Sequence, residues 1–144
     1  MEKLYIAYGS NINIDEMAKR CPTARVKGVG KIIGWRLVFR GETPKVYATI
    51  EPWEKEEVPV LLWCIKASDE IALDEYEVFP TLYRKETIEV NCQGEELTAM
   101  VYVMNEGYPI GKPALSYYET IKKGYEDVGM DEDFLKNAIE GNIE

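Results

Sequence analysis

The chain has 144 residues, 26 acidic against 17 basic side chains, a formal net charge of -9, three cysteines and no histidine. Its length fits one domain, taken as residues 1–144, and 46% hydrophobic with 30% charged residues describes a globular chain. The acidic excess argues against nucleic acid or an anionic membrane as partner, and the missing imidazole excludes Ser-His and Cys-His catalysis and histidine-ligated zinc. Acid-base chemistry must then come from Glu, Asp, Lys, Tyr or Cys.

Leu4 to Tyr8 reads as a first strand rather than a secretory leader, because its apolar stretch is short and runs straight into Gly9-Ser10-Asn11. A short helix follows over Ile14 to Arg20, with Asn13 as N-cap and Glu16 as its capping-box partner. Val26 to Phe39, punctuated by Gly28, Gly30 and Gly34, predicts one long bent strand or two short ones. Val46 to Ile50 and Val58 to Lys66 are further strands, separated by a charged loop from Glu51 to Glu57 whose acids are read as solvated, not metal-binding. Ser68-Asp69-Glu70 supplies the cap and acidic first turn of a second helix, which stops before Pro80. Leu82 to Val90 and Leu97 to Met104 pair around Gln93-Gly94. Ala114 to Val128 is a helix with Ala114, Tyr118, Ile121, Tyr125 and Val128 on one stripe and Gly129 at its end. A last helix from Asp131 turns Phe134, Leu135, Ala138 and Ile139 inward. This irregular order predicts an α+β fold, a curved or closed sheet flanked by helices. Cys21, Cys64 and Cys92 form no C-x-x-C pair, which suggests free thiols in a reducing cytoplasm. No run approaches the ~18 apolar residues of a membrane span.

Two segments carry candidate chemistry. Tyr8-Gly9-Ser10-Asn11 lies between a strand and a helix start, where successive backbone N–H groups suit an anion. An ordinary strand-helix turn reads equally well there. Asp15 and Glu16 weaken the helix dipole, so a carboxylate suits the turn better than a phosphate. In the second segment, Leu73 and Glu77 are four apart on a helix, so a core-facing Leu73 carries Glu77 inward while Asp74 and Glu75 turn to solvent. Burial and the helix C-terminus would both raise the Glu77 pKa, as a base working near neutrality requires. The other reading is an exposed glutamate in an acidic run. Among ten tyrosines, Tyr83 lies close to Glu77 in the chain, Tyr118 is on the core stripe, and Tyr117 is offset from that stripe toward a possible pocket.

In order, Tyr5-Ile6-Ala7-Tyr8-Gly9-Ser10-Asn11, Arg20-Cys21-Pro22-Thr23-Ala24, Gly34 to Phe39, Ala48-Thr49-Ile50, Leu73 to Glu77 with Tyr83, and Pro113 to Gly124 resemble the gamma-glutamylcyclotransferase-like family. The resemblance implies a small mixed, mostly antiparallel barrel and a cofactor-free, metal-free cyclisation of a small-molecule gamma-glutamyl amine to 5-oxoproline. By position it makes Glu77 the catalytic acid/base, and Tyr8, Gly9, Ser10, Asn11, Tyr83 and Tyr117 the substrate contacts. The alternative on the same fold is a binding module for a carboxylate-bearing metabolite or peptide. The chain departs from the family pattern at Val78, where glycine is usual, and at Val58-Pro59-Val60. Because a β-branched residue resists φ > 0, a different turn is expected after Glu77.

Overall fold

The computed structural model describes residues 2–141, so the outermost positions of the expected 1–144 domain lie outside it. Five strands close into a barrel: β1 (Lys3–Ala7), β2 (Arg25–Glu42), β3 (Lys45–Ile65), β4 (Tyr83–Cys92) and β5 (Glu95–Met104), in the spatial order β1-β3-β2-β4-β5. Neighbours are antiparallel except β1 and β5, which meet in parallel at Tyr5 and Met100. Helices α1 (Ile14–Arg20), α2 (Ala67–Tyr76), α3 (Leu115–Val128) and α4 (Glu132–Gly141) flank it. Among the described residues no helix is long and apolar enough to cross a membrane.

The region from Val26 to Phe39 is one long bent strand, with register shifts at Val26/Gly28 and Ile33/Trp35. Its partner β3 runs unbroken through residues 51–57, where a loop was expected. Positions 52–57 are exposed as expected, but two of the acids, Glu51 and Glu57, have cross-strand cations. Arg36 and Arg40 both pair with Glu51, and Lys31 lies 3.4 Å from Glu57. The Arg36 guanidinium also covers the Trp53 ring at 3.8 Å. Charge on the solvent face of a hairpin reads like a loop in one dimension, and only the opposing strand distinguishes them.

Two helix starts differ in detail from expectation. Asn13 Oδ1 accepts from the Glu16 N–H at 2.9 Å, but the return half of the box is missing. The Asn13 N–H donates to the Ser10 carbonyl, and the Glu16 carboxylate turns to Lys19 and Arg20. At α2 the cap position is Lys66 rather than Ser68, and buried Asp69 accepts from the Lys66 N–H at 3.0 Å and the Thr23 hydroxyl at 2.7 Å.

The core runs through the barrel and beneath the helices, with Ile6, Phe39, Ile50, Leu62, Tyr102 and Tyr125 among its largest buried side chains. Ile121 and Tyr125 are buried on the expected α3 stripe, and Gly129 ends the helix at φ 76°. Ala114 is exposed. Close backbone approach closes the assembly at two glycines. A Cβ on Gly30 would stand 2.5 Å from the Asn91 carbonyl oxygen, where β2 meets β4. A Cβ on Gly124 would stand 2.7 Å from the Asn13 nitrogen and 2.8 Å from the Ile12 carbonyl carbon. Thus α3 presses directly on the segment that follows β1. Asn13 Nδ2 adds a hydrogen bond to the Thr120 carbonyl at 2.9 Å. Gly124→Ala forces one of these backbones to move, and overpacking of this kind lowers stability by about 1–3 kcal/mol. Chemical denaturation of the variant measures that loss; an unchanged midpoint would show that α3 does not bear on the turn.

Candidate active site

The segment after β1 is a single 3₁₀ turn over Ser10–Ile12. Its closing bonds run from the Ile12 and Asn13 N–H groups to the Gly9 and Ser10 carbonyls, both at 3.0 Å. The amides of Gly9, Ser10 and Asn11 take no part in that closure. Asn11 is buried and heavily committed. Its Nδ2 donates to the Tyr5 hydroxyl at 2.9 Å, its Oδ1 accepts from Arg20 at 2.6 Å, and its carbonyl accepts from the Trp63 indole at 3.0 Å. These bonds fix the turn against β1, α1 and β3. The Ser10 hydroxyl meets the Tyr76 hydroxyl at 2.7 Å, joining the turn to the end of α2.

Glu77 caps the C-terminus of α2, its N–H donating to the Leu73 carbonyl at 2.9 Å. Leu73 is fully buried, and Glu77 follows it inward. Asp74 does not turn to solvent as expected. It accepts from the Tyr102 hydroxyl at 2.6 Å and pairs with Lys85 at 2.9 Å, while Glu70 holds the same Lys85 at 2.7 Å. These bonds tie α2 to β4 and β5. The chain then turns through Val78 at φ 53°, so the β-branched residue takes the left-handed conformation in which glycine is at ease. The expectation of a different turn is thereby overturned. Bonds from the Phe79 N–H to the Asp74 carbonyl and from the Leu82 N–H to the Val78 carbonyl hold the strained residue in place and deliver Tyr83 to the start of β4.

Tyr8, Gly9, Ser10, Asn11, Glu77, Tyr83 and Tyr117 all line one small chamber of about 20 Å³, together with Tyr5, Ile6, Ala48 and Tyr102. A second chamber of about 210 Å³ shares Ser10, Glu77, Tyr83 and Tyr117 and adds Tyr47, Tyr76, Val78 and Leu82. Tyr118, on the core stripe, packs against the core instead. Sequence periodicity gave no reason to select Tyr47 or Tyr76. Tyr76 directly precedes Glu77, and only the packing of α2 against the turn brings both to the chamber.

The phenols have defined polarity. Tyr83 donates to the Ala48 carbonyl at 2.6 Å, and Tyr8 donates to the Tyr102 carbonyl at 2.6 Å, so both oxygens are left with acceptor capacity. Tyr117 instead accepts from the Ala48 N–H at 3.0 Å and keeps its own proton to donate. Burial pushes the hydroxyls of Tyr5, Tyr8, Tyr83 and Tyr117 well above the ordinary phenol range, so they stay neutral. Burial also raises Glu77, to about 7, against the opposing pull of the Arg20 guanidinium. Among the chamber's ionisable groups, Glu77 is the one placed to exchange a proton near neutrality. Val78→Gly removes backbone strain at a side chain that is 50% exposed, so little burial is lost. The variant is expected to unfold at higher denaturant, by roughly 1 kcal/mol; destabilisation would show that Val78 packing outweighs its strain.

A family model described as gamma-glutamyl cyclotransferase, AIG2-like, matches residues 5–125. The chain is 30% identical to the gamma-glutamylcyclotransferases of Bos taurus and Homo sapiens, over 96% of its own length and 79% of theirs. A solved gamma-glutamyl cyclotransferase superposes with a TM-score of 0.86 at 26% identity, covering 96% of this chain and 86% of that one. YkqA from Bacillus subtilis shares the fold at a TM-score of 0.82 and 17% identity, over 94% of this chain and 52% of that one. With more than half its length matched by the family model, the chain belongs to the gamma-glutamyl cyclotransferase, AIG2-like family.

Proposed function

We propose that the chain cyclises a gamma-glutamyl amine to 5-oxoproline and releases the free amine, with Glu77 as the general acid/base. The observation that carries the reading is the placement of Glu77, half-buried in a chamber lined by tyrosines and the Gly9–Asn11 turn, where desolvation raises its carboxyl to about 7. A site that merely held a carboxylate-bearing ligand would gain nothing from a desolvated carboxyl at its centre.

The substrate carboxylate sits at the Gly9–Asn11 amides, with the Tyr117 hydroxyl as a further donor to carboxylate or carbonyl. The α-ammonium faces Glu77 and the acceptor oxygens of Tyr8 and Tyr83. Glu77 takes a proton from the ammonium, and the freed nitrogen attacks the γ-carbonyl carbon. The new ring C–N bond forms as the carbonyl becomes an oxyanion, which nearby N–H and O–H donors stabilise. Glu77 returns its proton to the leaving nitrogen, and the old C–N bond breaks. The second ammonium proton follows the same route, so the amine departs as an ammonium ion and no net proton is consumed. Five-membered closure brings its own proximity, and no enzyme nucleophile is required. The free thiols of Cys21, Cys64 and Cys92 suit a reducing cytoplasm as the place of reaction.

Release of 5-oxoproline from a panel of gamma-glutamyl amines tests the reading. Glu77→Gln is expected to lose at least about a hundredfold in kcat/KM, the lower range for a positioned acid-base group; equal activity would reject Glu77 as the base. In the native protein, kcat/KM should rise with pH through about 7 and then level, because the free enzyme must hold an ionised Glu77. A limb near 4.5, the ordinary glutamate value, would show that the chamber does not raise the carboxyl of the free enzyme.

Stability should move the other way. With the folded pKa raised from 4.5 to about 7, the folded state binds the extra proton across that window. Stability is therefore present at low pH and falls as pH rises from 4.5 toward 7. Thermal melts should find Glu77→Gln more stable than the native protein at about pH 8, with the gap closing near pH 5. A variant less stable at both values would show that the carboxylate is satisfied in the fold.

A further inference from the structure

We propose that Arg20 is the positioning residue of this site. Its guanidinium holds the turn after β1 against the end of α2, and so sets where Glu77 stands relative to the Gly9–Asn11 amides. This rests on the cyclotransferase reading, because it concerns the residue that presents the base of that reaction. Among the described residues, α1 contributes no side chain to either chamber. Arg20 acts from behind the wall.

Four residues close a circuit there. Arg20 Nη1 donates to Asn11 Oδ1 at 2.6 Å, and Asn11 follows Ser10 in the chain. The Ser10 hydroxyl meets the Tyr76 hydroxyl at 2.7 Å, and the Tyr76 ring lies 3.5 Å from the Arg20 guanidinium stacked over its face. Tyr76 is thus fixed at its hydroxyl by the turn and across its face by α1. The next residue is Glu77. The Arg20 side chain is only 16% exposed, and its Nη2 lies 3.6 Å from Glu16. On the opposite side of the helix, Glu70 and Asp74 hold Lys85. A guanidinium suits this place because its flat face covers a phenol while its N–H edge serves partners in its own plane. A lysine would keep the charge and lose either the stack or the fork.

The same cation acts on the base by charge, drawing the Glu77 carboxyl down against desolvation. The other titratable groups lining the chambers are phenols. Burial holds the hydroxyls of Tyr5 on β1, Tyr8 after it, Tyr83 on β4, Tyr102 on β5 and Tyr117 on α3 above the ordinary range. Tyr47 and Tyr76 complete the set in the outer chamber. Glu16 offsets part of the Arg20 charge, and Lys85 is shared by two carboxylates. Removing the guanidinium leaves desolvation less opposed, so Glu77 then ionises at higher pH.

Arg20→Lys and Arg20→Met separate position from charge. Both should lower the levelled value of kcat/KM by about tenfold or more, the effect of losing a hydrogen bond from a charged donor. Only Arg20→Met should move the pH limb upward, by roughly half a unit to one unit. A native level in Arg20→Lys, or an unmoved limb in Arg20→Met, would overturn the proposal and leave the cyclotransferase reading intact. Should neither Arg20 variant fold, Tyr76→Phe opens the circuit at Ser10 while keeping the ring. It should lower kcat/KM by about threefold or more, and a native value would overturn the proposal. NMR titration of the Glu77 carboxyl in native protein and Arg20→Met reads the shift without turnover. A shift with no 5-oxoproline from any gamma-glutamyl amine would reject the cyclotransferase reading and retain the hold of Arg20 on Glu77. Neither shift nor product would overturn both.

Discussion

The peptide group of Ala48 is gripped at both ends by phenols: its N–H donates to Tyr117, and its carbonyl accepts from Tyr83. Along this stretch β3 pairs with β2, and its pairing with β1 begins only at Leu61. The other edge of the strand therefore faces the cavity. Unpaired backbone there would be expensive to bury, and two tyrosines from distant parts of the chain satisfy it. Their bonds attach α3 and the start of β4 to the same residue of β3. They also orient the hydroxyls, one with a proton to give and one with lone pairs to receive. Structural satisfaction and substrate polarity come from the same two bonds.

Around that clamp the protein holds one carboxyl in surroundings that disfavour its charge. The phenols of the chamber are neutral, and Arg20 acts on Glu77 without lining the chamber. The end of α2 stays in place because Asp74 and Glu70 reach Lys85 and Tyr102 on the barrel, while Tyr76 reaches Ser10 on the turn. The helix is thus anchored by ion pairs on its outer side and a hydroxyl contact on its inner side. The strained Val78 is held by that same anchoring, since bonds on both sides of it determine the path of the chain. Strain and burial both lower stability, and both lie next to the proposed base, a pattern common where chemistry requires an environment folding alone would avoid.

The amphipathic and strand periods carried most of the element order, because they express the local demand to bury one face. Leu73 to Glu77 is the clearest case: a four-residue step on a helix sends two side chains the same way, whatever surrounds them. The errors have other causes. Residues 51–57 look like a solvated loop until Arg36, Arg40 and Lys31 appear across the hairpin. Asp74 looks exposed until Tyr102 and Lys85 arrive from another strand. Glu16 resembles a capping-box partner, yet Arg20 and Lys19 compete for it and win. In the first two cases the partner lies far off in the chain, whereas at Glu16 it lies within one turn of the same helix.

A chain without histidine leaves proton transfer to Glu, Asp, Lys, Tyr or Cys, and the four-residue step from Leu73 makes Glu77 one carboxylate that a helix could carry inward. Composition and local period suffice for that, since both are properties of the chain alone. The raised pKa and the orientation of the phenols belong to the tertiary structure. They depend on desolvation and on hydrogen bonds between residues tens of positions apart, and no local pattern encodes which side chains will exclude water from a carboxyl.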